Sequence, residues 1–353
     1  MGPRASAVGS HGATNTVPEG SQNGDVSDTD RDRAALTRLL TYFRPRSGRW
    51  KMASGEAWQP ALALDAVINT YQRTGDPACR TVVERSFSRY RGRRMPFYDD
   101  DGWFLNTWLR AYEVIGDDAY LEEAASLFTE LTGGWDSTCG GGLWWRKDRT
   151  YKNAITNELF LLGAGRLHRL AAGGDHGEWA LRAWRWFDGS GLVNPAGLVN
   201  DGLDGACANN GGTTWTYNQG VILGGLAELW RATGDRAYLD RAEAIADAAL
   251  AALVDADGVL TEPGEPGCDA DQQIFKGVFA QGLARLHHAG GKPAYASFLR
   301  ANADAVWAGR DERDGVGLRW AGPARDVNGA TQASACLLLG AVALLDRGGE
   351  TPT

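Results

Sequence analysis

Tyr71-Gln72-Arg73-Thr74-Gly75-Asp76-Pro77 closes one amphipathic run and opens another, and the phrase returns along the chain. It recurs as Tyr112-Glu113-Val114-Ile115-Gly116-Asp117-Asp118-Ala119-Tyr120-Leu121 and as Trp230-Arg231-Ala232-Thr233-Gly234-Asp235-Arg236-Ala237-Tyr238-Leu239. Weaker echoes are Gly173-Gly174-Asp175 and Gly290-Gly291-Lys292-Pro293. Glycine accepts the left-handed conformation that ends a helix, and aspartate caps the next one with its carboxylate. Each phrase therefore reads as the tight turn of a helical hairpin.

Working outward, the flanking segments carry apolar residues at helical spacing: Leu62, Leu64, Val67, Ile68 and Tyr71, or Leu105, Trp108, Leu109 and Tyr112. Strand-like alternation is scarce. The opposite ends of the hairpins differ, with long connections rich in Gly, Asn, Asp and Trp at 133–151, 197–218 and 262–272. About six hairpins with short turns on one face and elaborate loops on the other suggest a toroid or a solenoid of repeats. The asymmetry favours the toroid: an all-α, (α/α)6 barrel that presents a site on its long-loop rim.

Residues 1–30 hold almost no large apolar side chain and read as a disordered tail. Residues 31–347 read as a single domain and 348–353 as a short C-terminal tail. The opening segment lacks the apolar core of a secretory signal, so the expected location is cytoplasmic, unless a mis-assigned start codon hides an export signal. No run of apolar residues is long enough for a membrane span.

The chain has 353 residues, 43% hydrophobic, with a net charge of −8. No basic stripe stands out, which argues against nucleic acid as a partner. Fourteen tryptophans suit a different ligand, because flat indoles pack on the C–H faces of sugar rings. The five cysteines are widely spaced, with no zinc-type cluster, and most are expected to be reduced. A single Cys207–Cys268 bridge between two loops is the one pairing left open. No metal or cofactor is implied, and a monomer is expected. Asp255-Ala256-Asp257-Gly258 lacks the later ligands of a calcium loop and reads as a turn. His168, His287 and His288 fall at helix ends, where a catalytic role is not expected.

Asp99-Asp100-Asp101 sits between Tyr98 and Gly102-Trp103, just ahead of an amphipathic helix. Taken alone, such a run serves as helix cap and dipole partner. Crowded carboxylates resist joint ionisation, however, so one stays protonated while its neighbour is an anion, the pairing that glycoside hydrolysis uses.

Tyr98-Asp99-Asp100-Asp101-Gly102-Trp103 resembles the paired-aspartate motif of glycoside hydrolase family 76, the α-1,6-mannanases. Other blocks match in order: Gly141-Gly142-Leu143-Trp144-Trp145, Tyr151-Lys152-Asn153-Ala154-Ile155-Thr156-Asn157, and Gly197-Leu198-Val199-Asn200-Asp201-Gly202-Leu203. They continue through Trp215-Thr216-Tyr217-Asn218-Gln219-Gly220 and Asp271-Gln272-Gln273-Ile274-Phe275-Lys276-Gly277. The resemblance implies an (α/α)6 fold, a mannan or mannose-containing oligosaccharide as substrate, and hydrolysis with retention. Asp99 would be the nucleophile and Asp100 the acid/base, with Asp101 as a cap or supporting partner. Substrate contacts would come from Trp103, Trp144 and Trp215 as platforms, and from Asn157, Asn200, Asp201, Tyr217, Asn218, Gln219, Gln272 and Lys276. The catalytic groove would be bordered by Trp144 and Asp201. Two other readings stay open at this point: a sugar epimerase on the same toroid, and a non-catalytic sugar-binding barrel.

Overall fold

The computed structural model describes residues 1–2, 26–171 and 173–346. Among them twelve α-helices form six consecutive hairpins. The first pairs α1 (Asp28–Leu40) with α2 (Gln59–Thr74), and the second α3 (Pro77–Tyr90) with α4 (Tyr98–Ile115). Then come α5 (Asp118–Thr132) with α6 (Ala154–Leu170), and α7 (His176–Gly189) with α8 (Thr216–Thr233). The last are α9 (Arg236–Ala252) with α10 (Phe275–His288), and α11 (Pro293–Gly309) with α12 (Gly329–Val342). Among the described residues, strand structure is confined to one two-stranded ribbon, Phe43–Arg44 against Arg49–Trp50, and isolated bridges.

The even-numbered helices pack side by side in the order α2, α4, α6, α8, α10, α12, and α12 returns to α2, closing a ring. The odd-numbered helices form an outer layer, each laid against the inner pair beside it. Burial follows this division. Every residue of α12 is buried, whereas α9 buries only Leu239, Ala242, Ile245, Ala246 and Ala249, a single stripe at helical spacing. The fold is the (α/α)6 barrel that the turn phrases predict.

Those turns behave as their chemistry dictates. Gly75, Gly116 and Gly234 take φ of 65°, 77° and 71° at the ends of α2, α4 and α8. Asp76, Asp117 and Asp235 then accept from the backbone N–H of Ala78, Ala119 and Ala237 at 2.8–3.0 Å, starting the outer helices. Because every short turn leads from an inner to an outer helix, all six inner helices point their amino ends at the long-loop rim.

Two details differ from the sequence reading. Helix α1 begins at Asp28, capped by Ser27, so residues 28–30 belong to the fold rather than to the tail. Of the proposed tails, residues 3–25 and 348–353 lie outside the described residues, as does residue 347 at the end of the proposed domain. Cys207 pairs not with Cys268 but with Cys139, joining the α5–α6 loop to the α7–α8 loop, while Cys79, Cys268 and Cys336 are free. Spacing along the chain carries no information about which loops meet at the rim.

Close helix contact in the ring depends on glycine. A Cβ on Gly282 of α10 would overlap the carbonyl of Gly220 on α8, whereas one on Gly189, at the end of α7, would meet nothing. Gly282→Ala should therefore lower unfolding free energy by about 1–3 kcal/mol through overpacking. Gly189→Ala should leave it unchanged or raise it by a few tenths to about 1 kcal/mol. Denaturant titration of both variants checks the opposite signs.

Candidate active site

Helix α4 starts at Tyr98, which puts all three aspartates in its first turn. Successive helical residues diverge by about 100°, so three neighbours cannot share one environment. Asp101 is 1% exposed and fully engaged: it accepts from the Met95 backbone N–H at 2.9 Å and from Lys147 Nζ at 3.0 Å. It anchors the start of the helix. Asp99 turns toward open space, half-buried, with Oδ2 accepting from Trp145 Nε1 at 3.0 Å and Oδ1 without a protein partner. Asp100, 5% exposed, lies between them and has no protein hydrogen-bond partner for its side chain.

Burial pushes both Asp99 and Asp100 well above the ordinary carboxylate range, to about 7 and about 8. The order has a cause. The Trp145 indole N–H and the first-turn backbone N–H groups favour the Asp99 anion. Asp100 has no such donor and instead feels the charges of Asp99, Asp101 and Asp271. Asp99 therefore ionises first, and Asp100 holds its proton longer.

Asp99 opens into a cleft of about 290 Å³ on the long-loop rim. Its floor is a chain of aromatic rings. Trp58 stacks on Trp103 at 5.3 Å, Trp103 faces Tyr217 at 6.4 Å, and Tyr217 lies flat on Phe275 at 3.8 Å. Trp215 meets Phe275 edge-on. The polar wall holds Asp201, whose Oδ2 accepts from the Tyr151 hydroxyl at 2.6 Å, and whose carboxyl is raised by burial. Asp271, which accepts from Trp58 Nε1 at 3.0 Å, and Gln272 line the other side. An apolar floor with acceptors and donors along its edges is the environment a polyhydroxylated ring requires. Among the described residues, no group of His, Cys, Asp and Glu side chains is arranged to hold a metal ion.

Of the residues singled out from sequence, Asp99, Trp103, Asp201, Trp215, Tyr217 and Gln272 line this cleft, whereas Asp100, next to Asp99 in the first turn of α4, is buried and does not line it. Six others do not line it, each for a visible reason. Asn157, on α6, clamps Leu143, accepting from its N–H at 2.7 Å and donating to its carbonyl at 3.1 Å. Gln219, on α8, clamps Val199 in the same two-bond fashion, both at 2.8 Å. These amides fasten loops rather than face the cleft. Asn200 is spent within its own loop, accepting from Asn194 and Asn209 and donating to the carbonyl of Gly212. Asn218 is fully buried. Lys276 is also buried, paired with Glu265 at 2.5 Å beneath the Trp320 ring. Trp144 borders a neighbouring cavity, its Nε1 held by Asp136.

Sequence reasoning passed over Trp58, Trp145, Tyr151, Asn153, Asp269, Asp271 and Phe275 in the cleft wall. Trp145 is the instructive case. Adjacent residues of an extended segment face opposite ways, so one of Trp144 and Trp145 was bound to miss the cleft, and only the loop's path decides which.

Mannan endo-1,6-alpha-mannosidases of Eremothecium gossypii and Saccharomyces cerevisiae are 32% and 28% identical over 57% and 66% of this chain. The chain spans about half the length of these curated relatives, 49% and 53%. Among solved structures, it is similar to an inactive variant of the α-1,6-mannanase GH76A of Salegentibacter sp. HEL1_6, in which two adjacent aspartates are changed to asparagine, in complex with α-1,6-mannotriose. That likeness has a TM-score of 0.81 at 27% identity and covers 91% of this chain and 100% of that one. Dfg5 from Chaetomium thermophilum, in complex with glucosamine, shares the fold at a TM-score of 0.80 and 21% identity, with 91% of each chain covered. The family description that matches, over residues 29–347, is that of the glycosyl hydrolases numbered 76, and the chain belongs to glycosyl hydrolase family 76.

Proposed function

We propose that this protein is an endo-α-1,6-mannanase that hydrolyses its substrate with retention of configuration. The observation that carries the reading is the unequal pair at the head of α4: Asp99 open to an aromatic-floored cleft and supported as an anion, Asp100 buried without a donor. The Salegentibacter enzyme, described as inactive when two adjacent aspartates are replaced, supports assigning the chemistry to this pair.

In the first step an Asp99 oxygen attacks the anomeric carbon while the glycosidic C–O bond breaks and Asp100 gives its proton to the leaving oxygen. In the second, Asp100 takes a proton from water, whose oxygen attacks the same carbon and releases Asp99. Two inversions restore the original configuration. The amino end of α4 favours Asp99 as an anion before attack and again as it departs.

Two further expectations follow from the surface. The Cys139–Cys207 bridge supports action in an oxidising compartment rather than in the cytoplasm. Among the described residues, Met1 and Val26 are the exposed large apolar side chains, which leaves no apolar face for an obligate dimer and supports a monomer.

Asp99→Asn should lower turnover on linear α-1,6-mannan by on the order of 10⁴-fold or more, with sugar binding by calorimetry retained. Wild-type turnover in a variant checked for deamidation removes Asp99 from the mechanism. Asp100→Asn should cost on the order of 10²–10⁴-fold on mannan and far less on an activated aryl mannoside, where the leaving group needs no proton. Azide should then accelerate the aryl substrate and yield a mannosyl azide of retained configuration; equal losses and no azide product refute the assignment. Activity of the wild type should follow a narrow bell in pH. It rises near 7 and falls near 8, two steps that belong to the coupled Asp99–Asp100 pair rather than to either residue alone. In Asp100→Asn the alkaline fall should vanish.

A further inference from the structure

Beside the catalytic cleft lies a second cavity, of about 390 Å³, that the mechanism does not use. Its size falls within the range of small-ligand sites. The α5–α6 loop supplies one wall, with Thr138, Cys139, Trp144, Arg149 and Thr150, and the α7–α8 loop supplies the other, with Asp204 and Asn210. The Cys139–Cys207 bridge crosses between these walls, and both of its cysteines line the cavity. A covalent tie between facing loops sets the width of the space they enclose.

The indole wall is equally fixed. Trp144 Nε1 donates to Asp136 at 2.7 Å, and the Lys152 ammonium sits 4.7 Å over the ring. That lysine is itself saturated by Asp136 and by the carbonyls of Thr138, Gly141 and Gly142. Around the half-buried indole stand the exposed polar side chains of Thr138, Arg149 and Asp204. An immobilised aromatic face beside polar donors and acceptors is sugar-binding chemistry, built as carefully here as in the cleft.

Tyr151 is the partition, since it lines both spaces. Its hydroxyl donates to Asp201 on the cleft side and accepts from Asn210 Nδ2 at 2.9 Å on the other. A partition held from both sides does not swing aside to let a linear chain run through. Because Tyr151 walls both spaces, a ring pendant from a chain in the cleft has the second cavity as its neighbour.

We propose that this second cavity is a branch subsite, which receives a single mannosyl side unit carried by the backbone residue bound near Asp201. The proposal rests on the mannanase reading and adds to it a tolerance for, and a preference among, branched substrates.

The test compares linear α-1,6-mannotetraose with isomers bearing one mannosyl branch on O2, O3 or O4 of an inner residue. Thr150 is exposed and lines the second cavity but not the cleft, so Thr150→Trp should fill the cavity without touching the cleft. For the branched isomer that the wild type cleaves best, kcat/KM should fall on the order of tenfold, chiefly through KM. Hydrolysis of the linear substrate should stay within about twofold, which also certifies the fold. Trp144→Ala should reproduce the selective loss by removing the platform. Equal losses on linear and branched substrates, no loss on either, or a wild type that cleaves the linear substrate but no branched isomer each overturn the proposal. A wild type inactive on the linear substrate instead refutes the mannanase reading itself.

Discussion

The closed ring of six inner helices is the constraint on which everything else depends. Residues on these helices are buried against two ring neighbours and an outer helix, so polar groups have little access to water along the shafts. Helix starts leave N–H groups without intrahelical partners, and here all six starts converge on one rim. The rim therefore gathers unsatisfied donors and positive dipole ends, which the loops must meet. Buried amides near those starts fasten the loops in turn: Gln59 holds Ser54 and Ala270, Asn157 holds Leu143, Gln219 holds Val199, and Gln332 holds Val316. The loops are thus tethered by α2, α6, α8 and α12, around the helix that supplies the aspartates.

Against this frame of donors, three adjacent carboxylates become affordable, and unequal. Helical divergence sends Asp101 to Lys147, Asp99 to the Trp145 indole, and Asp100 to a place with no donor at all. A strand would have placed Asp99 and Asp101 on one face and Asp100 on the other. The helix instead gives three separate environments, and the difference in protonation between Asp99 and Asp100 arises from which of them found a hydrogen bond.

What was legible in the sequence was what local physics controls. Gly75-Asp76, Gly116-Asp117 and Gly234-Asp235 specify cap geometry within a few residues, so their repetition disclosed the hairpins, and the asymmetry of loop lengths disclosed the working rim. The aspartate run was legible as a site because its charge density is hard to accommodate otherwise. The division between ligand-facing and loop-clamping polar residues was not. Asn157 and Gln219 share blocks with residues at the cleft, yet the amide's ability to bond a backbone N–H and C=O together is the same chemistry that binds a sugar hydroxyl pair. Likewise Cys139 finds Cys207, and Trp144 leaves the cleft, only because of how the α5–α6 and α7–α8 loops cross.

The placement of unpartnered polar atoms completes the argument. Elsewhere in the barrel buried charges do pair, as Arg73 does with Asp32, yet Arg73 Nε, Asp32 Oδ1, Asp65 Oδ1 and Arg166 Nε also have no protein partner. At the amino ends, Asp99 Oδ1, Thr156 Oγ1, both carboxyl oxygens of Glu158 and both polar atoms of the Asn218 amide have no protein partner. Burial pushes Glu158 well above the ordinary carboxylate range, which favours its neutral form. Buried polar groups without partners cost stability, and proteins keep them where function repays the loss. At the rim that cost falls beside the aspartate pair, where Asp99 Oδ1 is itself one of the atoms left without a protein partner.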